Sequence, residues 1–118
     1  MQREIFVFGS NRAGRHGRGA ALFAAQRYGA QRGVGEGLTG DAYALPTKGE
    51  RLELLPFSEI DAAICRFLKI ARETPDARFL LTPVGTGLAG HKKADVWGVL
   101  KREGLPANVV LTSSWVTG

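Results

Sequence analysis

Apolar residues along this chain of 118 residues fall into short continuous runs and longer periodic segments. Residues 4–9 and 79–84 are apolar almost without interruption, which is typical of strands that are buried on both faces of a sheet. Shorter apolar runs at residues 42–45, which Pro46 closes, and at residues 109–112 indicate two further strands. The pattern therefore predicts four strands distributed along the whole chain.

One longer segment has the period of an amphipathic helix. We expect this helix to begin at a capping box that Ser58 and Asp61 form, and to end before Pro75. Its apolar positions recur at the spacing of one helix face, at residues 60, 63, 64, 67, 68 and 71. The spacing predicts a helix that packs this face against a sheet.

Two other helices are predicted, at residues 19–28 and at residues 92–102, where Trp97 and Leu100 should point inward. Residues 33–41 are rich in glycine and are expected to form an open loop or a ligand flap. Strands that alternate with helices imply an α/β fold with a mainly parallel sheet. We expect one such domain over residues 1–118.

Many of the 16 glycines lie in two clusters, each between a predicted strand and a predicted helix. The first cluster is Gly9 to Ala20, and the second is Gly85 to His91. Because the loops after parallel strands emerge at the same edge of the sheet, both clusters should lie on one rim, together with Lys48. Glycine lets backbone N–H groups approach an anion closely, so a phosphate-bearing ligand is favoured over merely tight connections.

Charge favours the same class of ligand. The net charge is +5, which should attract nucleotides, nucleic acid or acidic surfaces. Arg15 and Arg18 precede the first helix, and His91, Lys92 and Lys93 open the third. Cations at the start of a helix oppose its dipole, and a bound anion would reverse the sign of that interaction.

Several other classes of function are not indicated. The first glycine cluster lacks the spacing of a dinucleotide fingerprint, and residues 85–92 lack the Ser or Thr of a Walker A loop. One cysteine and two histidines do not make a convincing metal site, so neither a metal nor another cofactor is predicted. Neither a secretory signal nor a membrane span is apparent, and we expect a cytoplasmic protein with an unreactive Cys65.

An ordered set of motifs resembles the macro domain, a small α/β fold whose members bind ADP-ribose. The motifs are Phe6–Asn11, Gly14–Ala21, Leu45–Lys48 and Val84–Gly90. The resemblance implies a three-layer sandwich with a mainly parallel sheet. Leu45–Lys48 is similar to the lysine-dependent branch of ADP-ribosyl glycohydrolases, which removes ADP-ribose from nucleic-acid bases or acidic side chains.

The resemblance also implies roles for single residues. Asn11 would contact the distal ribose, the two glycine loops would hold the diphosphate, and Lys48 would act at the anomeric carbon. His16 is predicted as a second catalytic residue, because a histidine can move a proton near neutral pH. The complete set expected to bind the ligand is Ser10, Asn11, Arg15, Gly17, Arg18, Gly19, Gly85, Thr86, Gly87, Leu88, Gly90 and His91.

Three functions remain open at this point. The first is an ADP-ribosyl glycohydrolase that acts on ADP-ribosylated nucleic acid or protein. The second is a module that binds ADP-ribose or a related nucleotide without turnover, which Arg18 and Ala89 favour because hydrolytic relatives place Asp at these positions. The third is a basic nucleic-acid-binding protein. None of the three requires a membrane.

Overall fold

A computed structural model describes residues 2–87 and 90–116, so the predicted ligand-binding residue Leu88 and the neighbouring Ala89 lie outside the described residues. The strands are β1 (Arg3–Asn11), β2 (Gly37–Thr39), β3 (Ala42–Lys48), β4 (Ala77–Leu81) and β5 (Val109–Leu111). The helices are α1 (Gly19–Arg27), α2 (Phe57–Arg72) and α3 (Lys93–Glu103), and a short 3₁₀ turn follows at Ser113–Trp115. None of the helices in these ranges has the length and hydropathy of a membrane span.

The strands form one sheet in the order β2-β3-β1-β4-β5. The central strand β1 is parallel to both β3 and β4, and β5 is parallel to β4. Only β2 runs antiparallel to its neighbour β3 in the described sheet. The prediction of a mainly parallel α/β sheet flanked by helices is therefore confirmed.

Alternate residues of β1 face two cores of different size. Ile5 and Val7 belong to a cluster of 19 buried apolar residues to which α2 and α3 also contribute. Phe6 and Phe8 belong to a second cluster of seven, to which α1 contributes Ala21 and Ala24. The sheet thus lies between two layers of helix, which makes the expected three-layer sandwich.

The predicted apolar face of α2 is buried at every position, with exposures of at most 1% at Ile60, Ala63, Ile64, Phe67, Leu68 and Ala71. Burying a large apolar side chain contributes about 1.5–3 kcal/mol relative to leaving it exposed. The larger core is therefore the main source of stability in the described part of the chain. It also fixes the strand ends that carry the candidate site.

The sheet differs from the prediction at Pro46, which does not close its strand. β3 continues to Lys48, and Pro46 pairs with Ser10 of β1. On its other side, β3 pairs with β2 only as far as Ala44 and bridges to Leu54 from Lys48. The proline falls between these two partners, where its missing N–H interrupts no antiparallel ladder.

Three local predictions were wrong. The segment expected to be an open loop at residues 33–41 contains β2, which pairs through Gly37–Thr39. The predicted capping box does not form, because Pro56 precedes α2 and Asp61 instead pairs with Arg102 of α3. Trp97 is 37% exposed, whereas Leu100 is buried as expected.

Candidate functional site

A cleft of about 910 Å³ opens at the carboxyl ends of the parallel strands. The start of α1 lines one wall with Arg18, Gly19, Ala20 and Ala21, and the second glycine loop lines another with Gly85, Thr86, Gly87 and Gly90. Thr47 and Lys48, at the end of β3, also line the cleft. The structure thus brings parts of both glycine loops and Lys48 to one cavity.

Most residues of the first loop stabilise the conformation of the loop itself. Asn11 is 8% exposed, its Oδ1 accepts a hydrogen bond from the Arg15 N–H at 2.9 Å, and its Nδ2 donates to the Arg15 carbonyl at 2.8 Å. At Gly14, where φ is 68°, a Cβ would collide with the backbone of Gly33. The Asn11 amide, which was expected at the ribose, therefore closes the loop and is not among the residues that line the cleft.

Four further predicted residues of this loop also lie away from the cleft lining. Ser10 is buried and donates its hydroxyl hydrogen to the Gly35 carbonyl, and Arg15 and Gly17 are exposed. His16 is 6% exposed, its ring lies edge-on to Phe8 at 5.3 Å, and neither ring nitrogen has a hydrogen-bond partner among the described residues. In this conformation none of the four borders the cavity.

The start of α1 is open to the cleft. Arg18 is the N-cap residue and makes no side-chain capping bond, and the first turn contains no acidic residue. The first N–H groups of a helix have no intrahelical partner, so those of Gly19 and Ala20 remain available to a ligand. Gly19 has a φ of 54°, which glycine adopts without strain.

The second loop is closed by hydrogen bonds at its base. The N–H of Gly90 donates to the Gly87 carbonyl at 2.7 Å, and the N–H of His91 donates to the Gly85 carbonyl at 2.8 Å. A Cβ at Gly90 would lie 2.5 Å from the Gly85 oxygen, so this position requires glycine. No atom of the described residues lies within 4 Å of an ideal Cβ position at Gly87.

His91 fastens this loop to the rest of the protein. Its Nε2 lies 3.0 Å from the carbonyl oxygen of Leu55, and its ring packs against Phe57 with 5.2 Å between centroids. His91 is half-buried and does not border the cleft, although it was predicted to bind the ligand. The adjacent Lys92 is exposed.

Lys48 is the exposed last residue of β3, and it lies beside Asn11 in the register of the sheet. Its carbonyl accepts a hydrogen bond from the Arg12 N–H at 2.9 Å, which holds its backbone. Leu52 and Leu54, 46% and 37% exposed, line the cleft on the same side. No ion pair is found for Lys48 among the described residues.

The arrangement of sheet, helices and cleft has counterparts among solved structures. The macrodomain of Mycobacterium tuberculosis DarG is 19% identical, with a TM-score of 0.66 over 93% of this chain and 88% of that one. The macrodomain of Thermus aquaticus DarG is 17% identical, with a TM-score of 0.70 over 93% of this chain and 87% of that one. The chain has the macrodomain fold.

A protein of unknown function from Bacteroides thetaiotaomicron shares the macrodomain fold, at 12% identity and a TM-score of 0.66 over 95% of this chain and 87% of that one. No protein-family model and no curated protein sequence matches the chain. Because the identities to solved structures are all this low, the likeness extends to the fold alone.

The far end of the cleft is formed by Lys93, which was expected as a cation at the start of the third helix, and by Thr112 and Ser114, which the sequence analysis did not assign to the site. Lys93 donates hydrogen bonds to the carbonyl oxygens of Ser114 at 2.9 Å and Trp115 at 3.4 Å. The hydroxyl oxygens of Thr112 and Ser114 are 2.6 Å apart. The only available signal for Thr112 and Ser114 was position, since they follow the last strand.

Positive charge dominates the cleft. Arg18, Lys48 and Lys93 line it, and none of the described residues that line it is acidic. Elsewhere in residues 2–87 and 90–116, no group of three or more metal-ligating His, Cys, Asp or Glu side chains occurs. The cleft therefore offers cations and backbone donors to an anionic ligand.

Proposed function

We propose that this protein binds ADP-ribose, or a closely related nucleotide diphosphate sugar, in the cleft at the carboxyl edge of the sheet. The observation that carries the proposal is the lining of that cleft: three cationic side chains and no acidic one among the described residues. An anion that enters gains attraction from every charged group that borders it. The likeness to macrodomain structures supports the same ligand.

The diphosphate would lie between the start of α1 and the second glycine loop. The free N–H groups at Gly19 and Ala20 suit phosphate oxygens, and the dipole of α1 favours negative charge there. Across the cleft, the absence of a side chain at Gly87 lets a ligand approach the backbone. A hydrogen bond to a charged group contributes roughly 1.5–3 kcal/mol.

The length of the cleft suits a ligand with a group on each side of a diphosphate. Lys48 stands at the end of β3, whereas Thr112 follows β5, three strand spacings away in the order of the sheet. Three spacings amount to about 14 Å. We place the distal ribose beside Lys48 and the adenosine part towards Lys93, Thr112 and Ser114.

Binding is tested by calorimetric titration with ADP-ribose, ADP and AMP. We expect ADP-ribose to bind most tightly and Lys48→Ala and Arg18→Ala to weaken it about tenfold or more, which corresponds to about 1.4 kcal/mol. Lys101→Ala is the matched control, because it removes the same charge from an exposed residue in the last turn of α3, outside the cleft. Equal effects of Lys48→Ala and Lys101→Ala, or no preference for ADP-ribose, would contradict the proposal.

A second function, hydrolysis of an ADP-ribosyl linkage, is favoured by the position of Lys48. Hydrolysis by a pair of carboxylates has no candidate residues here, because the described lining contains no Asp or Glu. Lys48 is exposed, ends its strand at the cleft and has no acidic partner among the described residues, so its amine is free to meet a substrate.

The reaction would use Lys48 as a nucleophile. Its neutral amine would attack the anomeric carbon, and the bond from that carbon to the base or carboxylate would break with its electron pair on the leaving group. The proton that the attacking nitrogen gives up would pass to the leaving group. Water would then deliver hydroxide to the carbon and its proton to the nitrogen as the carbon–nitrogen bond to Lys48 breaks, which returns the amine. The products are ADP-ribose and the unmodified nucleic acid or protein.

Turnover distinguishes a hydrolase from a binding module. The measurement is release of ADP-ribose from modified DNA and from modified protein by the wild type, Lys48→Ala and Lys48→Arg. Arginine keeps the positive charge but cannot act as an amine nucleophile, so Lys48→Arg should retain affinity and lose turnover. Turnover by Lys48→Arg at the wild-type rate would remove Lys48 from the mechanism, and binding without release by the wild type would indicate a binding module.

A further inference from the structure

The hydrogen bond between His91 and Leu55 joins two segments that are 36 residues apart in the sequence. A carbonyl oxygen only accepts hydrogen bonds, so His91 Nε2 must carry the proton at this contact. The ring also packs against Phe57 at an angle of 73°, which fixes its orientation. His91 therefore holds the base of the second glycine loop against the segment that follows β3.

That segment is in turn paired with the strand end that carries Lys48. The Leu55 N–H donates to the Thr47 carbonyl at 3.0 Å, and Leu54 forms an antiparallel bridge with Lys48. Any displacement of Leu55 would thus be transmitted to the end of β3. The acceptor for His91 is also well fixed, because Leu55 is only 4% exposed.

The backbone of His91 holds the second loop itself. The N–H of His91 donates to the carbonyl of Gly85. Gly85, His91, Leu55 and Thr47 are therefore linked in a continuous chain of hydrogen bonds. This chain sets the distance between the second loop and Lys48.

We propose that His91 is a positioning residue, which holds the second glycine loop and Lys48 at the separation that one ligand requires. This inference rests on the proposed function, because it assumes that loop and lysine engage the same ADP-ribose. His91 acts through Leu55 and Gly85, without contact to the ligand. If His91 served only to pack against Phe57, the effect of replacing it on ligand affinity would not depend on Lys48.

A double-mutant cycle measures this coupling through the affinity for ADP-ribose. His91→Phe keeps an aromatic ring against Phe57 but loses the donor, whereas His91→Gln supplies an amide donor of similar reach. We expect His91→Phe to weaken binding about tenfold in the wild type and no more than about twofold in Lys48→Ala, since the coupled residue is then absent. His91→Gln should restore most of the affinity.

Two comparisons make the result specific. His91→Phe combined with Arg18→Ala should give additive losses, because Arg18 lies on the opposite wall, at the start of α1. Lys92→Ala should change little, as it alters the exposed neighbour of His91. Additive losses in the His91→Phe and Lys48→Ala pair, or an affinity of His91→Gln no better than that of His91→Phe, would overturn the inference.

Backbone amide spectra without ligand separate this inference from the proposed function. We expect His91→Phe to move the amide signals of Lys48 and Leu54 while leaving that of Gly19 in place, and His91→Gln to restore them. If the wild type does not bind ADP-ribose, the proposed function fails and the spectra still decide the positioning role. Unchanged signals at Lys48 and Leu54 in folded His91→Phe would overturn it.

Discussion

Replacing Gly87 by valine tests whether the second glycine loop is shaped for a ligand or for the fold. Within residues 2–87 and 90–116, no atom lies within 4 Å of an ideal Cβ at Gly87, and the residue lines the cleft. Its φ is outside the left-handed region, so valine introduces no backbone strain there. The described part of the chain leaves room for the added side chain at the cleft.

The expected effects on stability and on binding are therefore very different. The free energy of unfolding should change by no more than about 0.5 kcal/mol, as for other exposed positions without special contacts. Binding should lose at least one hydrogen bond to a charged phosphate, a cost of roughly 1.5–3 kcal/mol, because the side chain prevents close approach of the ligand to the backbone. That energy corresponds to a loss of affinity of roughly 10- to 150-fold.

Gly17→Val is the matched control for Gly87→Val. A Cβ at Gly17 also meets no described atom within 4 Å, yet Gly17 does not line the cleft. Calorimetric titration with ADP-ribose should give an affinity near that of the wild type for Gly17→Val and a much weaker one for Gly87→Val. Thermal unfolding should show that both variants are folded. Wild-type affinity in Gly87→Val would refute the reasoning.

Three further predictions concern stability and ionisation. Gly90→Ala should lower the free energy of unfolding by about 1–3 kcal/mol in urea titration, because its Cβ would lie 2.5 Å from a carbonyl oxygen of its own loop. The hydrogen bonds that Arg102 donates lower the pKa of Asp61, so Asp61→Asn should cost up to about 1 kcal/mol at neutral pH. Asp61 contributes to the free energy of unfolding at pH values above its unfolded pKa of about 3.9, and this contribution disappears as the pH falls through the lower pKa of the folded state. Urea titrations across pH 2–6 should therefore show that the difference in stability between the wild type and Asp61→Asn vanishes in acid. Burial raises the pKa of Tyr43 to about 12. Alkaline absorbance titration of the Tyr28→Phe variant should therefore show Tyr43 ionising near that pH. The stability that neutral Tyr43 contributes is lost as the pH rises from about 10 towards 12.

The elements that local patterns predicted well are those with strong burial. β1 and α2 were predicted because their apolar residues follow the periods of a buried strand and an amphipathic helix. Pro46 was predicted to close its strand because proline usually marks the end of a strand. Here β3 tolerates the proline because of where β2 and Leu54 pair with it. That pairing is set by tertiary structure, which the local sequence does not contain.

The place of the cleft was predictable in outline, and its lining was not predictable in detail. The alternation of strands with helices and the two glycine clusters were enough to predict a shared rim with Lys48. The partner of His91 lies 36 residues away and that of Lys93 lies 21 residues away, so neither contact has a local signal. Asn11 was assigned to the ligand by resemblance, whereas both ends of its amide are engaged by the Arg15 backbone.

The unequal size of the two cores has a consequence for how the protein opens. Five of the seven buried residues on the α1 side are alanines, so α1 is held to the sheet by far less apolar surface than α2 and α3. Such an element is expected to unfold locally at a lower free energy than the rest of the domain. Yet α1 supplies one wall of the cleft, and the second glycine loop on the other side of the sheet supplies the facing wall. A ligand that bridges the two walls would add contacts that hold α1 to the rest of the domain. Its binding should therefore be detectable as increased protection of the α1 amides from hydrogen exchange.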